Sequence, residues 1–319
     1  MKKQTKLWLI AGAILIALGF ILFIAAMTAT RGDFSKISTA NYQTNTHTIH
    51  ETFRNIEIKT DTADIFFVPS EDGICKIICY EEENAAHSVS VQNETLIVQV
   101  TDKQDWFHIG IVNDSPKITV YLPENEYASL LIRESTGDIE IPKAFTFQNM
   151  DITASTGDVK NYASALENIK IKTNTGDILT ENISAKNLKI SVSTGKINVT
   201  SMVCEETFEI NVSTGKTKLS DISCKNLISK GSTGDISMIN LLASERISIE
   251  RSTGNIHFDG CDANELALKT STGDVKGTLL SDKTFAVESS TGTITVPKNT
   301  VGGKCEIATD TGDIKINIR

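Results

Sequence analysis

The sequence predicts an all-β solenoid of stacked coils preceded by one membrane-spanning helix. Three observations carry this. A Ser/Asn/Asp-Thr-Gly tripeptide recurs ten times between Glu134 and Arg319, apolar residues alternate around each glycine, and an uncharged apolar stretch lies near the N-terminus.

The helix comes first in the chain. Lys2, Lys3 and Lys6 precede Leu7 to Met27, which carries no charged residue. As an α-helix that stretch spans roughly 31 Å, enough for a bilayer core. Lysines on the short side favour a cytoplasmic tail over residues 1–6, a transmembrane helix over 7–27 and the rest of the chain outside. A cleaved signal peptide is the rival reading. Its apolar region is usually shorter, and the sequence Ala25-Ala-Met-Thr-Ala-Thr-Arg31 is a poor small-x-small cleavage site. Residues 28–46, rich in Thr, Ser and Asn, read as a juxtamembrane linker.

The repeats follow. The recurring glycines are Gly137, Gly157, Gly176, Gly195, Gly215, Gly234, Gly254, Gly273, Gly292 and Gly312, always 19 or 20 residues apart. A fixed period of this length signals a solenoid. Five residues before glycine stand Ile132, Ile152, Ile171, Ile190, Ile210 and their successors, with Ser229 as the polar exception. Two residues after it stand Ile139, Val159, Ile178, Ile197, then Thr217, then Ile236. Apolar spacing of two means strand, and β-branched side chains suit a pleated surface. Each copy is therefore expected to hold a strand, a tight Thr-Gly turn and a second strand, closed by a loop with room for a third. One coil cannot bury its own apolar row. Stacked coils bury one another's, each inward isoleucine contributing roughly 1.5–3 kcal/mol. The threonine before each glycine is expected to form a hydroxyl ladder. A right-handed coil is expected by analogy with other large-coil solenoids.

Residues 47–133 are less regular and read as irregular N-terminal coils and a cap, with 134–319 as the regular repeat. The segment Asn55-Ile-Glu-Ile-Lys-Thr-Asp-Thr-Ala63 resembles a degenerate copy with Ala63 in the glycine position. Leu96–Val100 and Lys117–Pro123 read as further strands. The last strand, Ile314 to Ile318, is expected to form the terminal edge, blunted by Lys315, Asn317 and Arg319. That edge predicts a monomer or a weak end-to-end dimer.

Composition narrows the function. The chain has 319 residues and a net charge of −9, with no basic patch to neutralise phosphates, so nucleic acid is not an expected partner. Aspartate follows the glycine in six copies (Asp138, Asp158, Asp177, Asp235, Asp274 and Asp313). A calcium column would need six to eight converging oxygens, and Lys196, Lys216, Asn255 and Thr293 interrupt it, so these read as solvated, backbone-bonded turn residues. A carbohydrate-cleaving β-helix needs carboxylates in a groove made by long inserted loops. No interval between Gly137 and Gly312 leaves room for one, and His47, His50, His87, His108 and His257 are scattered. No catalytic, cofactor-binding or metal-ligating residues are assigned, and no cofactor is expected.

Cys75, Cys79, Cys204, Cys224, Cys261 and Cys305 show no paired metal-binding spacing and read as buried free thiols. Cys204 and Cys224 each lie nine residues after a repeat glycine, so they fall in register on adjacent coils. Strand spacing is within disulfide reach, but parallel Cβ vectors fit a bond poorly. Trp106, Phe107 and His108 form an aromatic cluster suited to packing in the cap or to contacting a partner.

These repeats, the Asn55–Pro69 segment and the Lys117–Pro123 strand resemble the bacterial putative-adhesin β-solenoid family, a domain of unknown function that includes LiaG-like membrane-anchored proteins. The resemblance covers roughly residues 45–319. It implies a membrane anchor, a repetitive ectodomain and, for some members, association with envelope-stress systems. It supplies no catalytic residues. Two function classes follow: an envelope-anchored module that binds a protein or glycan, and a structural spacer or accessory of a membrane sensor system. Outward aromatics or like charges would mark the first, and a mixed polar face the second.

Overall fold

The computed structural model describes residues 3–29, 42–101, 115–298 and 301–319. The N-terminal helix α1 runs from Lys3 to Ala29. Its segment Thr5–Ala29 is long and apolar enough to cross a membrane and is not buried against the rest of the chain.

The strands that follow are β1 (Tyr42–Ile49), β2 (Asn55–Thr62), β3 (Asp64–Pro69), β4 (Cys75–Glu82), β5 (His87–Gln92), β6 (Thr95–Val100) and β7 (Lys117–Leu122). Then come β8 (Glu126–Thr136), β9 (Ile139–Ile141), β10 (Thr146–Thr156), β11 (Val159–Asn161) and β12 (Ser164–Thr175). The middle coils are carried by long strands, β13 (Ile178–Thr194), β14 (Ile197–Thr214), β15 (Thr217–Thr233) and β16 (Ile236–Thr253). The last are β17 (Ile256–Cys261), β18 (Glu265–Thr272), β19 (Val275–Leu279), β20 (Lys283–Thr291), β21 (Ile294–Thr295), β22 (Gly303–Thr311) and β23 (Ile314–Ile318). Because β1 begins at Tyr42, residues 42–46 belong to the sheet and not to the expected linker.

Successive coils pair in parallel register, for example Ile190 with Ile210 and Ile178 with Ile197. The predicted inward columns are buried except at Phe285, Val287 and Ile294. At every repeat corner but that of Gly292 in the edge coil, the glycine N–H donates to the threonine carbonyl of the next coil, as Gly157 does to Thr175 at 2.9 Å. The ladder at this corner therefore runs through threonine carbonyls, while the threonine side chains face solvent. Gly157 has φ +141, and a Cβ there would overlap the Gly137 carbonyl oxygen. Only glycine combines that backbone angle with so close an approach.

The expected closing loop is not a loop in the middle coils. Strand continues around the coil, turned by a second corner six residues after the glycine. Asn182, Ser201, Asp221 and Asn240 occupy it with φ between +51 and +57. Asn and Asp tolerate this left-handed region because their short side chains bond locally. Asn240 in turn donates to Asp221 at 3.0 Å. A third corner absorbs the alternation between 19 and 20 residues: Lys186 stands against Glu205–Glu206, and Lys225 against Ser244–Glu245, as local bulges.

Both ends depart from sequence order. At the N-terminal end β2 and β3 stack directly on β8 and β9, with Ile56 opposite Leu130 and Thr62 opposite Thr136. The degenerate copy is thus a true coil. The coil made by β6 and β7 packs on its far side. Antiparallel strands finish this end, β5 on β6, β4 on β7, and β1 on β4.

At the C-terminal end β22 pairs with β18 on one side and β20 on the other, and β23 lies between β19 and β21. The last coil in sequence is therefore threaded between the two coils before it. This corrects the expectation that Ile314–Ile318 forms the exposed edge. The edge is β20–β21, where Phe285 and Val287 are only partly buried and Ile294 is exposed. Gly302 and Gly303 make the threading possible: a side chain at Gly302 would overlap the Asp282 carbonyl, and one at Gly303 the Asn264 carbonyl.

Some columns carry polar exceptions. Thr217 replaces an isoleucine, and its buried hydroxyl has no hydrogen-bond partner among the described residues. Thr217→Val keeps the shape and removes an unsatisfied group, so it should raise unfolding stability by about 1 kcal/mol in urea titration.

Candidate interaction surfaces and buried polar clusters

The six aspartates that follow a repeat glycine lie at the solvent side of the first corner and act along the stack. Asp138 Oδ1 accepts the Asp158 backbone N–H at 2.8 Å, and Asp158 Oδ1 accepts that of Asp177 at 2.7 Å. Asp177 does the same for Lys196 at 2.7 Å. Asn255 substitutes because its side-chain oxygen also accepts, from the Asp274 N–H at 2.8 Å. Lysine cannot accept, so the steps above Lys196 and Lys216 lose this bond. The two lysines instead lie 3.8 Å from Asp177 and Asp235. The column is a backbone-capping ladder, and each carboxylate oxygen it uses serves a neighbouring amide.

The third corner carries charges of alternating sign. Glu167, Lys186, Glu206, Lys225 and Glu245 follow one another along it. Lys186 bonds Glu167 at 3.0 Å, and Lys225 bonds Glu206 at 2.8 Å and lies 4.0 Å from Glu245. The wall before the first corner carries further cross-coil pairs, Lys170 with Asp151 at 3.1 Å and Lys189 with Glu209 at 2.9 Å. Exposed pairs contribute little stability singly. Together they leave a flat face of mixed sign. A shallow groove of about 470 Å³ runs along this wall, floored by Ser193, Ser213, Ser232 and Ser252 and flanked by Lys172, Lys230, Lys269 and Glu250.

Beneath that groove lies Arg251, buried in a column where its neighbouring coils hold Val192, Val212, Gly231 and Thr270. Its Nη2 donates to Ser229 Oγ at 2.9 Å and Nη1 to the Glu250 carbonyl at 2.9 Å. A side chain at Gly231 would collide with its guanidinium. Ser229 and Gly231, both departures from the repeat, thus accommodate one buried cation, whose pKa burial lowers to about 10. Ser229→Ile restores the repeat pattern yet should cost about 3 kcal/mol, because it removes a hydrogen bond to a buried charge. Combining it with Gly231→Val and Arg251→Val should recover that loss in the same denaturation assay.

Glu134 occupies the equivalent column near the N-terminal end. It is buried, and neither carboxyl oxygen has a hydrogen-bond partner among the described residues. Burial, then the charges of Asp64 and Asp138, push its pKa up to about 8. It lines a cleft of about 520 Å³ with Lys59, Thr60, Gln99, Arg133 and Thr153.

A third polar cluster closes the N-terminal end. Cys79 and Glu81 alternate on the inward face of β4, and the 3₁₀ turn Glu83–Ala85 returns the chain so that His87 faces them from β5. His87 Nδ1 lies 2.6 Å from a Glu81 oxygen, which also accepts the His87 backbone N–H at 2.8 Å. Thr60 Oγ1 lies 2.9 Å from His87 Nε2, and Asn45 donates to the other Glu81 oxygen at 2.7 Å. From sequence alone Cys79 reads only as a buried thiol. The Cys-x-Glu spacing on one strand is the signal that points to this cluster.

All six cysteines are buried free thiols. Cys204 and Cys224 are opposite one another in register, and Cys204 Sγ lies 3.3 Å from the Lys186 carbonyl. Burial pushes the Cys224 thiol up to about 12. His257 faces outward and exposed. Trp106, Phe107 and His108 lie outside the described residues.

Stacked parallel coils turned at Thr-Gly corners define a β-solenoid of repeats. The chain belongs to the Toastrack DUF4097 family, a domain of unknown function, whose model matches residues 53–207 and again 203–319. A solved protein from Parabacteroides distasonis described as a putative adhesin is similar in fold. Identity is 12%, with a TM-score of 0.52 over 75% of this chain and 98% of that one. A putative adhesin from Bacteroides fragilis matches at 16% identity and a TM-score of 0.46, over 87% of this chain and 97% of that one. A putative lipid binding protein from Parabacteroides distasonis matches at 18% identity and a TM-score of 0.43, over 75% and 95% respectively. No curated protein matches the chain.

Proposed function

We propose that this chain is a membrane-anchored, non-enzymatic interaction protein of the cell envelope, adhesin-like in architecture. Helix α1 stays in the membrane with the N-terminal lysines in the cytoplasm, and the solenoid lies outside. The observation that carries this reading is the uninterrupted stack itself. Its walls offer a long polar surface in a chain that also carries an apolar helix, and the repeat glycines from Gly137 to Gly312 are always 19 or 20 residues apart, too close for a long inserted loop to build a deep catalytic groove. The partner is a protein or a glycan that meets the groove floored by serines.

A photo-crosslinking residue in place of Ser213, in cells carrying the full chain, tests this. A discrete adduct lost on moving the probe to inward Ile210 supports it, and no adduct from any groove position contradicts it. N-terminal sequencing of the membrane fraction tests the anchor; a mature chain starting after residue 27 would overturn it.

The alternating charges at the third corner favour a second reading, a spacer or accessory of an envelope-stress sensor. There, function depends on coil number rather than on side chains of any one wall. Exchanging Lys225 and Glu206 would leave it intact, whereas deleting one coil would not. We place any weak end-to-end association at the β20–β21 edge; a stable higher oligomer in light scattering would contradict that placement.

A further inference from the structure

We infer that Cys79, Glu81 and His87 form a transition-metal site, best suited to Zn²⁺, that clamps the two walls of the N-terminal end. Three observations carry this. The ligand atoms of the three side chains all lie within 4.8 Å of one another. All three residues are buried, with Cys79 at 0%, Glu81 at 1% and His87 at 6% exposure. The supporting shell is already in place: Thr60 bonds the far imidazole nitrogen, leaving Nδ1 toward the cluster, and Asn45 bonds the far oxygen of Glu81. Metal-binding histidines and carboxylates are oriented by such partners.

The donor set selects the metal. A thiolate, an imidazole and a carboxylate together suit Zn²⁺, whereas hard cations favour oxygen alone. A second observation points the same way. His47 lies on the inward face of β1, diagonal to Cys79 by strand register, and its Nε2 is buried with no hydrogen-bond partner among the described residues. The topology explains what an ion would do. β4 belongs to the wall built on β7 and β1, and β5 to the wall built on β6. The registers pair β4 with β1 and β7 and β5 with β6, so the short turn and this cluster connect β4 to β5. A thiol ligates a metal as the thiolate. Binding exchanges the thiol proton for the ion, so at least one proton leaves for each ion bound.

The test uses the full chain in detergent, reduced and freed of metal, titrated with Co²⁺ alone. The expected result is a thiolate-to-cobalt charge-transfer band that saturates at one equivalent and is abolished by one equivalent of Zn²⁺. Cys204→Ser should leave the band unchanged and Cys79→Ser should remove it. Thr60→Val, a mild change to the supporting shell, should weaken Co²⁺ binding by about 10–100-fold. Should Cys79→Ser fail to fold, wild-type protein decides by proton release and by a Zn²⁺-dependent rise in Tm. No band, or a band that persists without Cys79, overturns the site. So does Zn²⁺ that binds without proton release or a Tm rise.

Discussion

Gly157→Val should lower the stability of the ectodomain by more than about 5 kcal/mol, enough to leave most of the stack unfolded at moderate denaturant. Two penalties add at this corner. A β-branched residue at φ +141 is strained whatever the space around it. Its Cβ would also overlap the Gly137 carbonyl oxygen, a backbone atom that cannot swing aside. Relief requires the two coils to part, which breaks the Gly137-to-Thr156 hydrogen bond and the Asp138-to-Asp158 bond beside it. Because each coil is held only by its neighbours, damage in the middle divides the stack into two shorter ones. Circular dichroism against denaturant should show a lowered midpoint, with a second transition as the two halves separate.

Glu134→Gln should act in the opposite direction, and its effect depends on pH. The folded pKa of Glu134, about 8, lies above the ordinary carboxylate value of 4.5. A raised pKa means that the folded state holds its proton more tightly than the unfolded chain. The stability this contributes is complete below pH 4.5 and is lost progressively as pH rises to about 8. Linkage sets the loss at roughly 4–5 kcal/mol. The substituted amide is uncharged throughout, so the variant should match wild type near pH 4 and exceed it by several kcal/mol near pH 8.5. Urea titrations at the two pH values check this; parallel pH profiles for the two proteins would show that Glu134 is ionised and solvated in the fold.

The regular part of this fold was legible from the sequence because the same physical demand repeats in every coil. Ile190, Ile210 and their equivalents must be buried, and Gly157 and its equivalents must turn, so the period and the inward columns are written ten times over. The second corner was missed: Asn182, Ser201, Asp221 and Asn240 all lie six residues after a glycine, but polar residues at that spacing read as loop until their backbone angles are known. Coil order at the two ends was not legible. Register between parallel coils depends on side-chain pattern, and the patterns of β20 and β22 are interchangeable; only Gly302-Gly303 hinted at threading. The buried clusters were hidden for another reason. Cys79, Glu81 and His87 meet across a turn, and Ser229, Gly231 and Arg251 look like three unrelated lapses until they are seen to be one site.

The solenoid is a single stack whose last coil in sequence lies inside it rather than at its edge. Hydrogen–deuterium exchange on the full chain, followed peptide by peptide, tests this most directly. Amides of β22 and β23 have coils on both sides, whereas half of those in β20 and β21 face an open edge. Residues 303–318 should therefore exchange more slowly than residues 283–295. Faster exchange in 303–318, as expected of a terminal coil stacked in sequence order, would contradict the threading and the coil order built on it.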